Sequence, residues 1–374
     1  MLMTRFPTRI FVAAMLAPML ATMAVTSCAR SAEPAMSDTS RKVVVIAHRG
    51  ASALRPEHTL AAYSKAIEDG ADAIEPDLVR TRDGVLVARH ENEIGSTTDI
   101  AGHPEFAARK TRKSIDGEKV DGWFTEDFTL AELKTLRARE RLPQLRSTQY
   151  DGQFEIATLE EIIALVSTES AKRGRVIGLV PEIKHPTYFA GLGLPMEDKL
   201  LAALAAHDYT RTAPVMIQSF ETANLRALRD KLGSAHPNIQ LLQLLGDKGE
   251  RPYDMVAAKQ RTTYGDLMKP NGLREIAGYA DAIGPSAKNI GLRTDASGSR
   301  STLVDEAHAV GLKVVVYTFR PENYFLDSAF KGDGGAAARN ESGSVREMRS
   351  FIAAGIDALF TDDPALGRRA VDGP

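Results

Sequence analysis

The chain has 374 residues, enough for one large domain or two ordinary ones. Hydrophobic residues make up 43% and charged residues 26%, the proportions of a soluble globular protein with ample core material. The 47 Lys and Arg nearly balance the 49 Asp and Glu, which excludes a basic field for nucleic acid, and the single cysteine, Cys28, excludes an internal disulfide framework and a Cys-based structural zinc site.

Arg5 and Arg9 lead into an apolar stretch from Ile10 to Val25. This is shorter than the roughly 18 residues of a membrane span, so residues 1–27 read as an export signal. The stretch ends at Val25-Thr26-Ser27-Cys28, which resembles the lipobox of bacterial lipoproteins. That resemblance implies cleavage before Cys28 and lipidation of the cysteine; ordinary cleavage a few residues later, for example after Ser31, is the plainer alternative. Residues 28–41 are small and polar and suit a linker. The expected location is outside the cytoplasm, as a periplasmic or membrane-anchored lipoprotein of a bacterium, touching membrane only through that N-terminal anchor.

From residue 42 to 374 short apolar runs alternate with longer amphipathic segments. The strands predicted are 43–47, 72–77, 176–182, 213–218, 238–243, 280–284, 313–318 and 356–360, continuous apolar runs of the kind a parallel sheet buries on both faces. Leu60, Tyr63 and Ile67 mark one face of the first helix, closed by Gly70. Thr158-Leu-Glu-Glu161 is a capping box ahead of Ile162, Ile163 and Val166. Eight strand-plus-helix steps predict an α/β fold, a TIM (β/α)8 barrel. Residues 83–90 read as a strand returning through Asp83-Gly84, and about 91–157 as an inserted subdomain with one helix opened by Thr129-Leu-Ala-Glu132. A smaller irregular piece follows Phe319.

In a barrel the C-terminal strand ends form the reactive mouth. The predicted strands end at His48-Arg49-Gly50, Glu75-Pro-Asp77, His90-Glu91, Glu182-Ile-Lys184-His185, Gln218-Ser219-Phe220, Tyr317-Thr318 and Thr361-Asp362. Glu75 and Asp77 lie two apart and so share a strand face, as do Glu182 and Lys184. Three converging carboxylates repel unless a cation neutralises them, and an all-oxygen set suits Mg2+ or Ca2+ better than zinc. The simpler alternative is ion pairing of Glu75 or Glu182 with Arg49 or Lys184. His48 and His90 can supply one acid and one base. With Arg49 and Lys184 the set suits attack on a phosphoryl centre, and protonation of a departing alkoxide suits a phosphodiester. The absence of a GxxxxGK[ST] loop argues against a nucleotide triphosphatase.

His48-Arg-Gly-Ala-Ser-Ala-Leu-Arg-Pro-Glu-His-Thr59 resembles the signature of glycerophosphodiester phosphodiesterases. The likeness continues through Gly70–Asp77, Val85–His90, Phe128–Leu133, Glu182–Phe189, Gln218–Phe220, Val316–Phe319 and Phe360–Pro364, and the Lys184–Phe189 stretch resembles the secreted, periplasmic subgroup. The resemblance implies a metal-dependent barrel hydrolase that releases sn-glycerol 3-phosphate and an alcohol from a small glycerophosphodiester. It implies Glu75, Asp77 and Glu182 as metal ligands, His48 and His90 as the acid/base pair, and Arg49 and Lys184 as phosphate-binding residues. Glu57 falls in the same signature and is placed at the mouth as a histidine partner or substrate-hydroxyl contact, with Gln218 and Tyr317 also lining the substrate site. The ion implied is a single divalent cation, Ca2+ ahead of Mg2+. Glu91 stands where the family usually has Asp, and Tyr317 where many members have Trp. Two competing readings are a phospholipase-type enzyme acting on intact lipid and a non-catalytic surface-binding lipoprotein. The charged character of residues 91–157 favours a water-soluble substrate over the first, and the carboxylate trio with its two histidines argues against the second.

Overall fold

The computed structural model describes residues 43–295 and 298–373, with the backbone alone over 293–295 and 298–300. The export signal, the linker and Cys28 lie outside the described residues. In chain order the strands are β1 (Val44–His48), β2 (Ala73–Glu75), β3 (Asp77–Arg80), β4 (Leu86–Ala88), β5 (Thr111–Ile115), β6 (Glu118–Gly122), β7 (Gly178–Leu179), β8 (Glu182–Ile183), β9 (Val215–Ser219), β10 (Ile239–Leu245), β11 (Ala282–Pro285), β12 (Arg293–Asp295), β13 (Gly298–Arg300), β14 (Lys313–Phe319) and β15 (Ala358–Thr361). β1 pairs in parallel with β2 on one side and β15 on the other. Parallel pairing continues through β7 and β8 to β9, β10, β11, β14 and back to β15. β2 with β3, and β7 with β8, each form one interrupted stave, so the described residues close an eight-stave parallel barrel as the alternation predicts.

The strand interruption has a local cause. Pro76 has no N–H to donate to a ladder, and the second stave breaks there. Its carbonyl still accepts from Glu182 N at 2.9 Å, so the two staves remain joined at the break. Beyond it, β4 folds back antiparallel on β3, pairing Leu78 with Ala88, as the Asp83-Gly84 turn predicts.

Two apolar layers hold the barrel. Inside it, Ile46, Val180, Leu242, Leu244, Val315 and Phe360 fill the lumen. Outside it, alternate strand residues such as Val45, Ile74, Ile217 and Val314 pack on the helices. The helix α1 (Leu60–Glu68) is capped by Thr59, whose hydroxyl accepts from Ala62 N. Gly50 turns at φ +87, and a Cβ there would lie 2.7 Å from the Ala62 carbonyl carbon, so only glycine lets the turn after β1 press on this helix.

Residues 91–157 cover one side of the barrel. They contain short 3-10 turns, the β5–β6 hairpin and the one-turn helix α2 (Leu130–Leu133) with its capping box. The hairpin turns through Asp116-Gly117, both at positive φ. Phe106, Phe124, Phe128, Leu133 and Leu136 are buried beneath this segment, with Phe106 edge-on to Phe128 at 5.2 Å. The helix α3 (Leu159–Arg173) then starts at the Thr158 capping box, with Ile162, Ile163 and Val166 buried.

Candidate active site

The strand ends converge as barrel geometry requires. Glu75, Asp77 and Glu182 are 2%, 1% and 5% exposed, and one carboxylate oxygen from each lies within 4.8 Å of the others. Burial, then the charges of Asp77 and Glu182, push the Glu75 carboxyl well above the usual range. Burial with help from Asp77 pushes Glu182 up to about 8 against the opposing pull of Lys184. Burial also works to raise Asp77, but Lys184, His90 and His58 outweigh it and hold this carboxyl low. A divalent cation is the partner that lets all three ionise together. Asp77 Oδ1 is buried without a hydrogen-bond partner, so the trio keeps a free, oxygen-only face of the kind Mg2+ or Ca2+ takes.

The residues around the trio hold it and neutralise it in part, so the ion pairing foreseen as the simpler alternative is present for Glu182 with Lys184. Arg49 N donates to Glu75 Oε2 at 2.7 Å, and its guanidinium lies 3.4 Å from Asp77 Oδ2. Gln218 Nε2 donates to Glu75 Oε1 at 3.0 Å, while Lys184 Nζ pairs with Glu182 Oε1 at 2.9 Å. His58, unassigned from the sequence, is fully buried and bridges Tyr63 OH and Asp77 Oδ2, both at 2.8 Å. Its place nine residues from Arg49 in the same motif was the available signal.

His48 and His90 line one cavity of about 110 Å³ together with Arg49, Glu75, Glu182, Gln218 and Tyr317. His48 Nδ1 donates to Asp362 Oδ1 at 2.6 Å, and His90 Nδ1 to Glu91 Oε1. An ionised carboxylate can only accept, so each pair fixes the proton on Nδ1 and leaves Nε2 as the ring's base. Burial, then the charge of Arg49, lowers the His48 pKa to about 4. The same two causes, with Lys184, hold His90 low. Both rings are therefore neutral at pH 7 in the free protein.

Glu57 accepts from Arg49 Nη1 at 3.0 Å and from Arg141 Nε at 2.8 Å, and contacts neither His48 nor His90. Tyr317 stands edge-on to Phe220 at 6.0 Å, and its hydroxyl donates to Leu245 O. Phe220, Tyr317, Thr318 and Arg320 also border a larger cleft of about 1190 Å³, walled by residues 324–330. Among the residues around the histidines, Asp362, Arg141 and Arg146 carried no assignment from the sequence. The position of Asp362 just past the last strand was the signal for the first; the arginines arrive from the insertion and had none.

Fold and site together define a (β/α)8 barrel with an acidic, cation-binding mouth flanked by two carboxylate-held histidines, the class of a metal-assisted hydrolase. Residues 48–366 match the family described as the glycerophosphoryl diester phosphodiesterase family. The chain is 34% identical over 331 residues to a glycerophosphodiester phosphodiesterase of Arabidopsis thaliana, covering 85% of this chain and 82% of that one. It is 27% identical to a glycerophosphodiester phosphodiesterase of Haemophilus influenzae, covering 84% and 89%. Among solved structures, an Oleispira antarctica phosphodiesterase in complex with the product sn-glycerol-3-phosphate shares the fold, with TM-score 0.56, 21% identity and coverage of 89% and 98%. The chain belongs to the glycerophosphoryl diester phosphodiesterase family.

Proposed function

We propose that the protein hydrolyses glycerophosphodiesters to sn-glycerol 3-phosphate and an alcohol. The observation that carries this is the convergence of Glu75, Asp77 and Glu182 with His48 and His90 around one cavity at the barrel mouth. Glu75, Asp77 and Glu182 would hold a divalent cation, which when bound polarises a phosphoryl oxygen. Arg49 and Lys184 face the charge that builds on that phosphoryl group. One histidine, neutral with Nε2 unprotonated, accepts the nucleophile's proton. Burial and nearby positive charges keep the histidines neutral; the arriving phosphodiester anion offsets the charges, which favours the proton that the other histidine needs for the leaving alkoxide. The cleft beyond Tyr317 and Arg320 takes the leaving alcohol.

The finer assignments are part of the same proposal. The Lys184-His-Pro-Thr-Tyr-Phe189 stretch, with the leader of residues 1–27 just ahead of Cys28, supports a secreted, lipid-anchored bacterial member that uses Ca2+ in preference to Mg2+. The charged surface of residues 91–157 supports a deacylated, water-soluble substrate. The test is turnover of a glycerophosphodiester panel beside intact phosphatidylcholine, before and after chelation and with Ca2+ or Mg2+ restored. We expect glycerol 3-phosphate from the panel, lost on chelation and recovered with Ca2+. Activity on intact lipid alone overturns the substrate assignment.

A further inference from the structure

The insertion reaches both histidine–carboxylate pairs through one short loop. Arg141 donates to Glu91 through Nη1 at 3.1 Å and Nη2 at 2.6 Å, and to Glu57 through Nε and Nη2 at 2.8 and 2.7 Å. Five residues on, Arg146 donates to Asp362 Oδ2 at 2.6 Å, to Glu322 at 2.7 and 3.3 Å, and to Ser52 O at 3.0 Å. Ser52 Oγ in turn donates to His48 O at 2.8 Å. The loop is itself fastened: Arg139 N donates to Thr97 O, Glu140 N to Asp151 Oδ1, and Arg146 N to Leu142 O. Arg141 thus grips Glu91 with two prongs of its fork, and Arg146, its fork seated on Glu322, sends Nη2 to Asp362 as well, so one anchored loop reaches both carboxylates that hold the two imidazoles.

The grip matters because the carboxylates cannot hold themselves. The Glu91 side chain is 36% exposed and has three torsions to freeze. Asp362 is 3% exposed, and a buried carboxylate without a cation at its outer oxygen would seek another partner or a proton. A forked guanidinium fixes both position and charge, which a lysine's point charge does not. Arg320 Nε also reaches Asp362 Oδ2, at 3.0 Å, so this oxygen takes one guanidinium contact from the barrel's own loop and one, the shorter, from the insertion.

We propose that Arg141 and Arg146 are positioning residues for the acid/base pair, Arg141 acting on His90 through Glu91 and Arg146 on His48 through Asp362. The inserted segment thereby tunes the chemical step in addition to covering the barrel. This rests on the reading of His48 and His90 as acid and base.

The experiment is a pair of mutant cycles on the full protein with Ca2+ and a soluble glycerophosphodiester. Arg141→Gln and Arg146→Gln should each lower kcat by about 10–100-fold with KM moved by less than about threefold, the pattern of an interaction felt only in the transition state. In a His90→Ala background Arg141→Gln should cost less than about threefold, and likewise Arg146→Gln in a His48→Ala background, because groups acting as one unit are not additive. A purely structural arginine would cost the same in both backgrounds, and that additivity overturns the proposal. Should Arg146→Gln fail to fold, Arg146→Lys retains the charge and loses the fork; it should give an intermediate kcat loss that again vanishes with His48→Ala. Alanine variants of both histidines with near-normal turnover would overturn the acid/base reading and the proposal with it. Histidine-dependent turnover with additive arginine losses overturns the proposal alone.

Discussion

Glu75, Asp77 and Glu182 reach the mouth from strands of two to four residues that neighbouring strands clamp on both sides, whereas Arg141 and Arg146 reach it from a loop with no strand of its own. On the proposed reading, the strand ends supply the groups that would face the phosphoryl oxygens and hold the cation. The insertion supplies Arg141 and Arg146, which reach the carboxylates beside the two histidines. Strand ends are placed by backbone hydrogen bonds over a few ångströms, so their side chains can be crowded against one another in spite of repulsion. The insertion is placed by side chains, chiefly the buried Phe106–Phe128 pair and the arginine forks, and it stabilises arrangements that the barrel alone leaves loose.

The strongest way to break this comparison is at the trio. Glu182→Gln should lower turnover by at least about 10³-fold, since electrostatic and metal contributions of this kind are worth several kcal/mol. Its metal-free melting temperature should stay level or rise, because one member of a repelling set is gone, and the Ca2+-induced rise in melting temperature should disappear. Calorimetry with and without Ca2+ checks both. His48→Ala or His90→Ala should cost ~10²–10⁴-fold in kcat; a loss below threefold at both would remove them from the chemistry.

The next test moves to the insertion's anchor. Phe128→Ala leaves a cavity under residues 91–157 and should cost about 3–5 kcal/mol of stability. If insertion and barrel unfold together, the transition stays single and shifts down; two transitions in calorimetry would show that the insertion is held separately.

Acidity probes the arginine-held carboxylates. Burial works to raise Asp362, but Arg146, Arg320 and His48 outweigh it and hold it well below the usual carboxylate range. A depressed folded pKa contributes stability above the unfolded value, near 4, and loses it as pH falls through the folded value. The urea midpoint should therefore drop below about pH 4, and Asp362→Asn should flatten that part of the profile. Glu140 runs the other way: burial raises it to about 7, so the folded state loses stability as pH rises from the unfolded value toward 7. Glu140→Gln should raise the melting temperature by roughly 2–4 °C at pH 8 and leave it unchanged at pH 4.

The barrel and the reacting groups were readable because their signals are local. An apolar run names a buried strand, and the residues at or just past its end name the mouth, so His48, the Glu75-Pro-Asp77 segment, His90, Glu182 and Gln218 fall out of position alone. Asp77 was reached by the two-residue spacing, and the structure keeps it beside Glu75 although Pro76 breaks the strand between them. The supporting groups depend on pairings across 50 residues for Arg141 with Glu91 and 216 for Arg146 with Asp362, which no periodicity encodes. The Asp116-Gly117 hairpin differs: its turn signal was in the sequence, between short polar strands whose exposed faces hide the alternation.

β1 is the first stave made and β15 the last, yet they lie side by side, and His48 waits for a carboxylate 314 residues further along the chain. Until the C-terminal strand arrives there is no ring, and the first histidine has nothing to orient it. During synthesis, which proceeds from the N-terminus, the barrel acquires this geometry only at the end. Premature hydrolysis by an unfinished chain is thus excluded by topology, and turnover serves as a readout of an intact C-terminus.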